Sequence, residues 1–405
     1  MIRGRLFAVL TAIMLVAAAC GGGDDTTGSN NGTGGDTGGD TSSLPTEIGP
    51  GEGALNLIAW VGYVEDGSND PNYDWVTPFE KDTGCKVKVK YGDTSDEMVQ
   101  LMRQGGGTVY DGVSASGDAS VRLIAGGDVQ EINTDLIPTY GDVMSSLQEP
   151  GHNTIDGKHY GVPYLWGPNV LMYRTDVVKE APTSWEPVFS GDSPYAGQVT
   201  AYDSPIYIAD AALYLKAHNP DLGITDPYEL TQDQFDAAID LLKEQNGVIG
   251  KYWVGYADEI DGFAAGDMAI GTSWPYQVNV LQGEKEPVEA VVPDEGVTGW
   301  ADTWMMSSNA PHPNCMYEWM KWTMEPDVQA EVGGWFGGTP SLTTACDALK
   351  DQFGKAADTT YHCGDDAFLS EIALWKTPVP DCGDDRGETC IDYSEWTRAW
   401  TEVKG

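Results

Sequence analysis

Positive charge is what this chain of 405 residues has least of: 22 Lys and Arg stand against 63 Asp and Glu, for a formal charge of −41. That shortage excludes a nucleic-acid binder, because neutralising phosphates takes clustered Lys and Arg. Histidine is scarce too, with five residues and no H-E-x-x-H, and no two of the seven Cys stand in a C-x-x-C spacing. No zinc site is expected. The signatures of catalysis are missing as well. There is no G-x-x-x-x-G-K-[ST] for a nucleotide, and both Gly271-Thr272-Ser273-Trp274-Pro275 and Gly112-Val113-Ser114-Ala115-Ser116 lack the last Gly of a nucleophile elbow. The oxygen-rich stretches Asp66 to Asp74 and Asp381 to Glu388 lack the Gly and terminal Glu of a calcium loop and read as solvated turns. Neither a metal, a cofactor nor an enzymatic activity is therefore expected. After the N-terminal segment, no apolar run is long enough to span a bilayer.

What is present is the material of a large core. The chain is 41% hydrophobic and 10% aromatic, with fourteen Trp and nineteen Tyr, which is the composition of a folded protein of two domains or lobes. Its negative field concentrates cations near the surface and repels anionic membranes. At the N-terminus Arg3 and Arg5 precede an apolar run from Leu6 to Val16, the form of a secretory signal. Ala17-Ala18-Ala19-Cys20 resembles the end of a bacterial lipoprotein signal, with Ala17 standing where Leu is usual. The expectation is a signal peptide over 1–19, a lipid-modified Cys20 and a flexible Gly/Asp/Thr tether over 20–52. The body would then lie outside the cytoplasm, on the periplasmic or cell-surface side, held at the membrane only by its lipid. Six further Cys, an even number, suit an oxidising compartment. Fifteen pairings are possible, and nearness in sequence favours Cys382 with Cys390 and Cys346 with Cys363, leaving Cys85 to meet Cys315.

Strand and helix signals alternate along the body. Residues 54–60 read as a buried strand, and Asp74 caps a helix that stops at Gly84. Cys85, Val87, Val89 and Tyr91 then alternate with Lys86, Lys88 and Lys90, the period of a strand with one wet face. Thr94 with Glu97 makes a capping box, and Tyr110 to Ser116 make the next strand. Such alternation predicts an α/β lobe whose ligands lie at the carboxyl ends of strands, where Trp60, Tyr63, Ser116 and Asp118 fall. A second lobe begins near Trp166, with strand ends at Tyr202-Asp203 and at Ile270 to Trp274.

Certain aromatics keep company with acids. Trp300 and Asp302 are two apart and share one face of an extended segment. Trp60 and Tyr63 stand at one strand end, Trp274 and Tyr276 at another. A ring face attracts an ammonium through its quadrupole and a carboxylate anchors the same cation, so this pattern suits an alkylammonium. Four segments then carry a resemblance: Leu55 to Val64 (LNLIAWVGYV), Phe79 to Val87 (FEKDTGCKV), Val162 to Gly167 (VPYLWG) and Gly299 to Asp302 (GWAD). In this order they resemble the spermidine/putrescine class of ABC-transporter substrate-binding proteins, from about residue 54 to 342. The resemblance implies a periplasmic-binding-protein-like fold: two α/β lobes, each a mainly parallel sheet flanked by helices, joined by hinge strands and closing on ligand. Lobe 1 is expected over 53–165 plus 302–342, and lobe 2 over 166–301 plus 343–405.

Carried over by position, Trp60, Tyr63, Ser116, Asp203, Trp274, Trp300 and Asp302 match the ligand contacts of that class, and Asp118 replaces an aromatic. Gly62 and Ile206 stand where the spermidine binder has acids, and Lys376 falls near a neutral amide; a Lys in the cleft would repel a diamine. The implied ligand is a polyamine or a related small cation, delivered to an ABC permease by a monomeric binding protein. A mono-cation and a zwitterion of amino-acid type stay open. So does a carbohydrate-binding or carbohydrate-active secreted protein, since tryptophans stack on sugars and a glycosidase pair is recognised only by a distance. A surface scaffold would show a repeat, and none of solenoid length is present.

Overall fold

The computed structural model describes residues 44–383 and 387–405. The expected signal peptide, Cys20 and the expected tether up to residue 43 lie outside the described residues. Residues 45–52, expected as the tether's end, include contacts with the body: Asn133 Nδ2 donates to the Pro45 carbonyl at 2.9 Å and Gly49 N to Asn314 Oδ1 at 2.8 Å.

Local signals place the first elements. β1 (Ala54–Ala59) is followed by the helix Val76–Thr83, which ends at Gly84 in the left-handed region, φ 75°. β2 (Lys86–Tyr91) exposes its three Lys and half-buries Val87, Val89 and Tyr91, as the alternation requires. The Thr94 side chain accepts from Glu97 N at 3.1 Å and starts the helix Ser95–Met102. β3 (Gly112–Ala115) leads into the helix Gly117–Ala125. A short ribbon of β4 (Thr154–Ile155) and β5 (Lys158–His159) precedes the long β6 (Gly161–Pro168). The chain then builds a second sheet from β7 (Val170–Arg174), β8 (Val199–Tyr202), β9 (Ile249–Trp253), β10 (Ile270–Ser273) and β11 (Val288–Val291). β12 (Thr298–Met306), β13 (Thr339–Pro340) and β14 (Ala373–Leu374) return to the first.

The first sheet runs β13-β6-β12-β3-β1-β2 with β14 beside β12, and the second runs β11-β7-β10-β8-β9. With helices between strands, this is the two-lobed α/β architecture expected. Parallel pairing holds in one half of each sheet, β2-β1-β3 and β10-β8-β9, while β6-β12-β3 and β11-β7-β10 are antiparallel. The reason is connectivity. Strands leading toward the second sheet run one way, and β12, which brings the chain back, runs the other.

Two crossings between the sheets are bonded to each other. Asn169, between β6 and β7, donates through its backbone N to the Thr298 carbonyl at 2.8 Å and through Nδ2 to Thr298 Oγ1 at 2.6 Å. Thr298 Oγ1 in turn donates to Asp210 Oδ1 at 2.9 Å, and Tyr202 Oη donates to the other carboxylate oxygen. Burial pushes the Asp210 carboxyl up to about 7, partly opposed by those two hydroxyls. Beyond β14 the tail is tied to both lobes. Thr377 Oγ1 donates to the Asp118 carbonyl at 2.7 Å, Arg122 lies 4.2 Å from the Tyr393 ring centroid, and Lys404 pairs with Asp203 at 2.5 Å. Residues 343–371, expected with the second lobe, meet both: Thr360, His362 and Phe368 lie beside Val170 and Val278, while other parts reach the first lobe. Helix Cys346–Phe353 lies on Pro326–Phe336, and Asp366 accepts from Ser145 N and Oγ at 3.0 and 2.7 Å.

The disulfides are Cys85–Cys315, Cys346–Cys363 and Cys382–Cys390. Among the described residues no helix is long and apolar enough to cross a membrane, and no group of three His, Cys, Asp or Glu is placed to hold a metal ion.

Candidate functional site

The carboxyl ends of β1, β2 and β3 and the middle of β12 face the ends of β9 and β10 across a cavity of about 50 Å³. From the first sheet come Trp60, Asp93, Ser116, Trp300 and Asp302; from the second come Val254, Gly255, Tyr256, Trp274 and Tyr276. Phe336 and Trp375 complete the wall. The rings brace one another: Tyr276 stacks on Phe336 at 5.4 Å, Trp300 meets Phe336 edge to face at 5.8 Å, and Trp274 meets Trp253 likewise at 4.8 Å. A Cβ on Gly167 would come within 2.6 Å of the Trp300 ring, so this glycine lets the indole lie close against β6.

Asp302 is the chemical centre. It is 3% exposed, accepts from Tyr63 Oη at 2.6 Å on Oδ2 and accepts from Ser116 Oγ on Oδ1. Burial drives its carboxyl up to about 7 against the pull of those two hydroxyls, and the nearby Asp118 charge adds to the rise. A carboxylate held in two hydroxyl bonds and surrounded by rings is costly to leave unpaired. A bound cation relieves that cost.

The structure sorts the residues expected from sequence. Trp60, Ser116, Trp274, Trp300 and Asp302 meet at the cleft. Tyr63 does not line it; Gly62 adopts φ 92°, and the turn that follows buries Tyr63 completely and points its hydroxyl at Asp302. Tyr63 is a positioning residue. The same turn accounts for the missing acid at position 62, where a side chain would be strained and would meet Phe336 and Trp335 at 3.2 and 3.3 Å.

Asp118 and Asp203 are corrections. Asp118 is 1% exposed in the first turn of Gly117–Ala125, behind Ser116, and accepts from Ser95 Oγ at 2.9 Å. Burial raises its carboxyl, and the Arg122 guanidinium opposes the rise. Asp203 is taken by the C-terminal helix Tyr393–Lys404: Trp400 Nε1 donates to Oδ1 at 2.9 Å, and Lys404 Nζ lies 2.5 and 2.7 Å from the two oxygens. Ile206 is core. Lys376 turns away from the cleft to Asp226 and Glu229, at 2.8 and 2.5 Å, which removes the feared repulsion. Sequence reasoning missed Asp93, Tyr256, Phe336 and Trp375 as wall residues. Asp93 had a readable signal, standing two residues past the end of a Lys-striped strand whose neighbours were already assigned to the site.

Comparison with known proteins bears on the family and the fold. The model of the bacterial extracellular solute-binding protein family matches residues 74–359. The putrescine/agmatine-binding protein of Pseudomonas aeruginosa is 27% identical over 292 residues, 65% of this chain and 75% of that protein. The spermidine/putrescine-binding periplasmic protein of Escherichia coli is 23% identical over 304 residues, 72% of this chain and 82% of that one. Among solved structures, the substrate-binding protein of a spermidine/putrescine ABC transporter from Streptococcus pneumoniae superposes with a TM-score of 0.64 at 17% identity, covering 86% of this chain and 97% of that one.

Proposed function

The chain belongs to the bacterial extracellular solute-binding protein family, and from that premise we propose that it binds a polyamine-type alkylammonium for an ABC importer. Members of this family bind solutes and are not enzymes. The observation that carries the reading is Asp302, a buried carboxylate fixed by Tyr63 and Ser116 at the floor of an aromatic cleft. Rings stack on methylenes and attract the ammonium, while the carboxylate fixes its position. Ligand touching both lobes favours the closed arrangement, with motion about the Asn169–Thr298 crossing.

Calorimetry and Trp fluorescence with putrescine, spermidine, butylamine, a betaine, amino acids and an oligosaccharide test this reading. Amines are expected to bind and the sugar to give no response; sugar binding with no amine response ends it. Lipid anchoring through Cys20 accords with the extracellular setting. The full chain is expected in the membrane fraction and Cys20→Ser in the soluble fraction, and an unchanged distribution would refute the anchor.

A further inference from the structure

Resting on the amine reading above, we propose that Asp93 is the second anionic pole of the cleft, so that the site takes a ligand with two cationic ends laid across the strand ends from Asp302 to Asp93. The opposite wall has no acid to offer. Val254, Gly255, Tyr256, Trp274 and Tyr276 are uncharged, and Asp203, the second-sheet acid nearest in sequence to a strand end, is neutralised by Lys404. Asp93 lines the cavity, is exposed, and its carboxylate has no ion-pair partner among the described residues. Its backbone N donates to Glu97 Oε2 at 3.0 Å, which fixes the turn that presents it. Lys90 on the same strand is turned to Glu97 at 3.6 Å.

Register places the two acids at one end of the first sheet. Thr303 pairs with Ala115, Ile58 with Val113 and Ala59 with Tyr91, so Asp302 stands one residue and Asp93 two residues beyond the last paired position at the same end of the sheet. Three strand spacings separate β12 from β2, roughly 14 Å. If both side chains rise in parallel from one face of the sheet, their carboxylates keep about that spacing, and subtracting two charge-assisted contacts of about 2.8 Å each leaves on the order of 8 Å between terminal nitrogens. At about 1.3 Å of advance per bond of an extended chain, this is six or seven bonds, the reach of an α,ω-diamine or a linear triamine. Trp60, from the strand between the two acids, supplies apolar surface for the methylenes.

The test is calorimetry on the purified protein at fixed salt, with butylamine beside α,ω-diamines of four to seven carbons. The unsubstituted protein is expected to bind its best diamine at least about tenfold more tightly than butylamine. Asp93→Asn is expected to collapse that ratio to within about threefold, because the diamine loses far more affinity than butylamine does. Asp203→Asn and Asp142→Asn, the latter removing an exposed acid away from the cleft, are expected to preserve the ratio. A ratio that survives in Asp93→Asn, or collapses in Asp203→Asn, overturns the assignment while the amine reading stands. No binding of any amine by the unsubstituted protein overturns both.

Discussion

Asp302→Asn is expected to lower amine affinity at least a hundredfold at pH 8 and to leave the protein folded. Removing one partner of a buried charge pair costs roughly 2–5 kcal/mol, and a hundredfold corresponds to about 2.7 kcal/mol. Asn keeps the shape and can still accept from Tyr63 Oη, so the fold has no reason to fail. The same group sets a pH dependence. Its carboxyl lies at about 7 in the folded protein, against 3.8 ordinarily, so below neutrality it is protonated and offers no charge to an ammonium. Affinity is expected to rise about tenfold per pH unit up to about 7 and to level off above it.

Stability moves the opposite way. Because the folded state holds this proton more tightly than the unfolded state, ligand-free stability falls as pH rises from about 4 to about 7. Asp210, at about 7, and Glu259, at about 8, act in the same direction and remain in the variant. Asp302→Asn is therefore expected to flatten part of that slope and to raise the denaturant midpoint at pH 8 but not at pH 4. Calorimetry and chemical denaturation across this range check both arms. Undiminished amine binding by Asp302→Asn would show that the cleft has been assigned wrongly.

Opening Cys85–Cys315 in a Cys85→Ser/Cys315→Ser variant is expected to cost about 5 kcal/mol of stability, the most of the three disulfides. Its two Cys stand 230 residues apart, against 17 for Cys346–Cys363 and 8 for Cys382–Cys390. In the chain-entropy picture those closures contribute roughly 5, 3 and 2.5 kcal/mol. The bond also closes the chain's whole excursion through the second sheet, from the start of β2 to the helix Pro313–Thr323. Amine affinity at temperatures where the variant stays folded is expected to hold, since no disulfide lines the cleft. Denaturant unfolding of the three double variants gives the ranking; equal losses for Cys85–Cys315 and Cys382–Cys390 would refute it.

Much of the scaffold was legible locally. Alternation of Lys with Val and Tyr over 86–91, the Thr94 cap and the Gly84 stop each act within a few residues, so sequence alone specified them. Strand ends follow from the same signals, which is why Trp60, Ser116, Trp274 and the Trp300/Asp302 face were found. The use of each acid was not legible. Asp203 closes a strand as expected, yet its charge is taken by Lys404, 201 residues away, because the C-terminal helix packs beside it. Asp118 sits in the first turn of a helix and is buried behind Ser116, while Asp93, at an equally ordinary strand end, is left facing the cleft. Sequence by itself determined the fold class, the strand ends and the excess of acid. Only tertiary structure decided which acids remain free for a ligand, because a carboxylate's partners and its exposure depend on which distant elements pack against it.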